Sequence, residues 1–197
     1  MPPKPKFTKE EIARAALELV REKGEESLTS RDVAAVLGSS ARPIFTAFES
    51  MAALKESVIQ MAEQIYNDFQ ETVVAENKYP TYKSMGMAYI RFAREEKNLF
   101  RLLYMRDRTG EPIPPNFDET ILEQVKVNTG FEGYLATLFQ TEMWVFIHGI
   151  ASMHATTYMN FSEEFISSMI TDAYQGLKRR QKENALKNSH ADKGDKK

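Results

Sequence analysis

Apolar residues recur along this chain at three- and four-residue intervals, and no stretch alternates long enough to build a sheet, so the spacing predicts an all-α fold. The first helix is announced at both ends. Thr8 can cap it, Glu11 can complete a capping box and Phe7 can staple onto Ile12; Ile12, Ala16, Leu19 and Val20 then share a face until Gly24 supplies a left-handed stop. The same grammar returns at once, with Thr29 as cap, Asp32 as box partner, Leu28 stapled to Val33, and Gly38 as the end. Ser39-Ser40 offers a cap for a third short helix whose buried face is Ile44 and Phe48.

Later breaks fall around Tyr79 to Thr81 and across Arg106 to Phe117, where Gly110, Pro112, Pro114 and Pro115 make the longest loop. Between them the periodicity predicts helices over Met51 to Glu76, Tyr82 to Glu95, Lys97 to Arg106, Asp118 to Thr129, Glu132 to Tyr158 and Glu163 to Glu183. Residues 184–197 form a polar run that cannot bury enough apolar surface to stay ordered, and a frayed, disordered tail is expected. The expected organisation is an amino-terminal three-helix domain over residues 1–50, a helical bundle over 51–183 and that tail.

Composition adds mainly exclusions. The 197 residues contain no cysteine, which removes disulfides, thiolate metal sites and cysteine nucleophiles, and fits a reducing, cytoplasmic setting. The least charged window, Tyr134 to Met159, includes Gln140, Glu142, His148 and His154, and reads as a buried core helix rather than a membrane span. His148 and His154, six apart, do not share a helical face, so neither a metal nor another cofactor is expected. No specific catalytic motif is present, and an enzyme is the least favoured class. The formal net charge is −2, so any contact with nucleic acid must come from a local cationic face.

Two short helices around a glycine-containing turn form a candidate helix-turn-helix. Opposite Ile44 and Phe48, the helical wheel places Arg42 and Thr46 one turn apart, with Phe45 at their flank. Arg42 carries the donor fork that matches guanine O6 and N7, and Thr46 can meet a phosphate, a base edge or a thymine methyl. Free amides at the starts of the second and third helices can bind phosphate, Ser30 and Arg31 lie where the second helix would cross a strand, and Lys4, Lys6 and Lys9 add a basic arm. The pattern alone is equally that of a compact three-helix packing unit with solvated surface cations.

From Phe7 to about Leu54 the order Thr8, Ile12, Ala15-Ala16-Leu17, Gly24, Leu28-Thr29, Arg31-Asp32, Ala34, Leu37-Gly38, Ile44-Phe45, Phe48 and Leu54 resembles the DNA-binding domain of the TetR/AcrR transcription regulators. The resemblance implies a recognition helix at about Ser40 to Ala47, including Ala41, followed by an effector-binding and dimerising helical domain. Two positions depart from the family pattern. Phe45 stands where a phosphate-bonding tyrosine is usual, and Met51 where a lysine is usual, which implies weaker electrostatic binding with a flatter salt dependence. Tyr89 to Glu95, Leu99 to Tyr104, and Trp144 with His148-Gly149 resemble a carboxy-terminal domain type of a subset of these regulators.

The window from Tyr134 to Met159 is apolar around most of its circumference and demands cover on all sides, and the resemblance implies that it pairs with its copy in a homodimer, together with the last helix. Phe92, Phe100, Tyr104, Phe117, Trp144 and His148 are candidates to line a ligand pocket, with Met105 and Met153 beside them, although packed core is the commoner role for any one of them. The expected function is a ligand-responsive repressor that binds a palindromic double-stranded operator as a dimer and answers an apolar or amphipathic small-molecule effector. The alternative is a helical sensor or protein-interaction module with a degenerate DNA-binding head.

Overall fold

The computed structural model describes residues 6–109 and 119–194, with side chains through residue 184. Among these residues there are nine α-helices, one 3-10 turn and no strand. The helices are α1 (Lys9–Lys23), α2 (Ser30–Val36), α3 (Arg42–Ala47), α4 (Met51–Ala75), α5 (Thr81–Glu95), α6 (Lys97–Tyr104), α7 (Glu119–Thr129), α8 (Gly133–Ala155) and α9 (Glu163–Gly194). No helix among the described residues is long and apolar enough to cross a membrane.

The α1 cap has the reciprocal form its sequence predicts. The Glu11 amide donates to Thr8 Oγ1 at 3.1 Å, and the Thr8 amide donates to the Glu11 carboxylate at 2.7 Å. That backbone donor, with the Thr8 hydroxyl behind it, holds the Glu11 carboxyl below its usual pKa. The α2 cap is only half a box. The Asp32 amide donates to Thr29 Oγ1 at 3.1 Å, but the Thr29 amide is taken by Ser27 O, so the Asp32 carboxylate accepts the Thr29 hydroxyl instead.

Both helix-ending glycines lie at positive φ, but in different ways. At Gly38, φ is 57°, and the Ser39 and Gly38 amides donate to Ala34 O and Ala35 O, the paired bonds of a Schellman motif. Gly24 is not in the left-handed helical region: φ 90° with ψ 172° is an extended conformation open essentially to glycine alone. The third helix also departs from expectation. Its cap is Ala41, with no side-chain bond, so neither Ser39 nor Ser40 caps it, and Pro43 sits in its first turn where no amide is needed.

The chain divides into two compact units, Met1–Thr72 with Phe92–Thr109, and Val73–Arg91 with Gly110–Lys197. The first three helices therefore share their unit with most of α4 and with α6, and compactness does not break after residue 50. Within that unit Ile12, Val20, Val33, Ile44, Leu54, Phe92, Leu99 and Phe100 are fully buried. Arg21 on α1 makes two bonds to Glu96, at 2.8 and 2.5 Å, and Asn98 Nδ2 donates to Arg21 O at 3.0 Å, which tie α1 to α6.

In the second unit α8 buries Ala136, Phe139, Met143, Ile150, Ala151 and His154, and its Phe139 ring lies 5.4 Å from Tyr174 of α9 and 5.7 Å from Phe131. Where α5 meets α8, a Cβ at Gly86 would come within 2.9 Å of Ile147 Cδ1, so the end of that side chain occupies the space the glycine leaves. The helix α9 runs on to Gly194, past the expected end at residue 183 and through eleven residues of the expected tail. Alanine, leucine and lysine in that stretch have high helix propensity, which favours a continued helical backbone.

Candidate nucleic-acid interface

In the first unit the start of α1 and the start of α3 border one surface groove of about 480 Å³. Its lining includes Lys6, Lys9 and Arg42, the hydroxyl residues Thr8, Ser39, Ser40 and Thr46, and no carboxylate. A chain with a net charge of −2 thus concentrates cations and donors on one small face. Such a face suits an anionic, oxygen-rich partner, because lysine and arginine supply charge-assisted bonds while the hydroxyls adapt as donors or acceptors.

The α3 helix presents this face because Ile44 is 0% exposed and Phe48 2% exposed, which anchors its inner side and turns Arg42 and Thr46 outward. Lys9 Nζ sits 5.0 Å above the Phe48 ring, so the same residue that anchors α3 also steadies a cation at the groove edge. Thr46 Oγ1 donates to Arg42 O at 3.0 Å, which commits its proton and leaves the oxygen as an acceptor. Phe45 is 53% exposed and Val36 54%, an apolar pair on the outer faces of α3 and α2.

Of the residues singled out from the sequence, the groove brings together Lys6, Lys9, Ser40, Arg42 and Thr46, and Lys4 lies outside the described residues. Ser30, Arg31, Ala41 and Phe45 are not in its lining. Arg31 is almost fully exposed, with only a loose 3.6 Å approach to Asp32, a pair of negligible strength in water. Thr8 was legible as a cap but not as a groove residue, since its second role depends on α1 packing against α3.

The candidate pocket residues fall into two groups. Phe92, Phe100 and Tyr104 belong to the first unit, where Phe92 lies 5.2 Å from Tyr66 and 5.5 Å from Phe69, and Tyr104 lies 5.8 Å from Tyr66 and 5.1 Å from Phe100. Phe92 and Phe100 are fully buried in this aromatic cluster, which makes them core. Burial also pushes the Tyr66 hydroxyl well above its usual pKa.

Trp144 and His148 belong to the second unit, stacked with centroids 5.0 Å apart, and His148 Nδ1 lies 2.9 Å from Tyr89 Oη. Burial holds the imidazole below its usual pKa. Phe117 lies outside the described residues. Among those described, no group of three or more His, Asp or Glu side chains is placed to hold a metal ion.

No model of a known protein family matches the chain, and no curated protein matches it.

Proposed function

We propose that this protein is a DNA-binding transcription regulator of the TetR/AcrR type, a repressor that meets a palindromic operator as a homodimer. The observation that carries the reading is the carboxylate-free groove lined by Lys6, Lys9 and Arg42, with α3 held beneath by Ile44 and Phe48. Arg42 is the base reader, bidentate to a guanine edge. Lys6, Lys9 and the surrounding hydroxyls are the phosphate contacts that position it. The family-like order of residues from Phe7 to Leu54 supports the same assignment.

Dimerisation is supported by the outer surface of α8, which exposes Trp144, Val145 and Phe146, with Tyr158, Met159 and Phe165 exposed farther along the chain. Two copies paired there set two reading heads at a fixed spacing, and an effector that favours one spacing shifts the population. The test is selection of bound double-stranded DNA from a random pool, with light scattering on the same preparation. Enrichment of a two-fold symmetric sequence by a dimer is the expected result. No enrichment would leave a second reading, a helical interaction module whose head has lost DNA, which the exposed Phe45 ring favours because it offers phosphate no hydroxyl.

A further inference from the structure

The second unit carries a groove that the aromatic pattern of the sequence did not single out. It is bordered by the start of α5, the end of α7 and the middle of α9, with a volume of about 260 Å³. That is slightly below the roughly 300–1,000 Å³ of ordinary ligand pockets, a size for a single ring rather than an extended molecule.

The apolar wall is already formed. The rings of Tyr82 and Tyr174 lie 6.0 Å apart, and each also packs against Phe139, at 6.3 and 5.4 Å. Both phenols are engaged away from any ligand: Tyr82 Oη donates to Gln140 Oε1 at 2.7 Å, and Tyr174 Oη donates to Asn128 O at 2.9 Å. Beside the polar Asn128, Thr171 and Gln175, the charged group in the lining is Lys83.

Lys83 Nζ donates one of its three protons to Thr171 Oγ1 at 2.8 Å and lies 4.8 Å from the Tyr79 ring. It has no carboxylate partner among the described residues. The nearby Glu163 is bonded to Lys78 Nζ at 2.7 Å, and the first turn of α5 contains no acid. Partial burial depresses the Lys83 pKa, and what the ammonium meets in return is a hydroxyl and a ring face rather than an anion.

We propose that this groove is a binding site for a small aromatic carboxylate, its ring against Tyr82, Tyr174 and Ile170 and its carboxylate on Lys83 Nζ. The anion supplies the charge that Lys83 lacks, through a charge-assisted bond in a partly desolvated place, and the ring covers the apolar wall. The site is independent of the DNA-binding reading, because the ligand is measured without DNA.

The test titrates benzoate and the neutral benzamide into the full-length protein and follows the methyl signals of Ile170 and Thr171 by NMR. Benzoate should shift both signals saturably and bind at least tenfold more tightly than benzamide. Lys83→Gln should abolish that preference while Lys83→Arg keeps it. Absence of a saturable shift, equal binding of the two probes by the parent protein, or a preference that survives Lys83→Gln overturns the proposal. The comparison of the two probes on the parent protein decides the matter even if a variant fails to fold.

Discussion

Helices α1 and α2 are bounded by bonds that span three to five residues, whereas α8 begins at Glu132 with no side-chain cap and owes its position to what it buries. Thr8 with Glu11, and the Schellman turn at Gly38, would draw the limits of α1 and α2 in almost any surroundings. Phe139, by contrast, has meaning only through Tyr82, Phe131 and Tyr174, which come from three other segments. Local sequence signals thus set where α1 and α2 begin and end, while the second unit is held by distant contacts.

The largest loss of stability is expected from Phe139→Ala. Phe139 is fully buried, so its truncation should cost about 3–5 kcal/mol in urea denaturation, compared with about 1 kcal/mol for loss of a helix cap. A cost no larger than that of a cap would mean that α8 does not depend on its packing.

Arg42→Ala tests the proposed DNA-binding face. Removal of a bidentate guanine contact should cost about 1–3 kcal/mol of DNA affinity and relax one position in each half-site, with urea stability unchanged. Lys6→Ala should weaken all sequences alike and lower the salt slope by about one. Binding to a DNA library at two salt concentrations separates the two, and identical behaviour of both variants would remove Arg42 from the role of base reader.

Thr8→Ala follows, at about 0.5–2 kcal/mol of stability, since the Glu11 amide loses its acceptor. The same substitution removes the weaker of the two bonds that depress the Glu11 pKa, the hydroxyl's, and keeps the backbone amide's. A depressed carboxylate stabilises the fold above its unfolded pKa, and that stabilisation disappears as pH falls through the folded value. The gap in urea midpoint between parent and variant should therefore narrow slightly from pH 7 down to pH 3 without closing, because Thr8 Oγ1 still accepts from the Glu11 amide in the parent. A constant gap would assign the loss to the cap alone.

Much of the fold was legible because its signals are local. Periodicity, threonine caps and glycine stops place most helix ends within a few residues of those observed, and the outward face of Arg42 and Thr46 follows from Ile44 and Phe48. What was not legible required knowledge of which segments meet. Phe92, Phe100 and Tyr104 join Tyr66 and Phe69, while Trp144 and His148 join Tyr89, a partition that spacing within one helix does not encode. Tyr82 and Tyr174 form a wall only because α5 and α9 are brought together by Phe139 between them. The α2 cap failed as a full box for a similar reason on a smaller scale: the Thr29 amide already had Ser27 O as a partner.

The smallest expected effect lies in the second unit and concerns His148. Its ring is half-buried against Trp144, with Tyr89 Oη at Nδ1, and burial disfavours the imidazolium, so its folded pKa lies below 6.5. The unfolded chain then takes up the proton first as pH falls. Stability is unaffected well above pH 6.5, declines as pH drops through that value, and levels off below the folded pKa. His148→Gln keeps an acceptor for Tyr89 and has nothing to titrate, so its urea midpoint should change less between pH 8 and pH 5 than that of the parent. The difference between the two proteins isolates this one group from every other acid-sensitive residue. An imidazole signal of His148 that titrates at or above 6.5, or equal acid dependence in parent and variant, would show that the contacts around α8 leave the ring as well solvated as an exposed histidine.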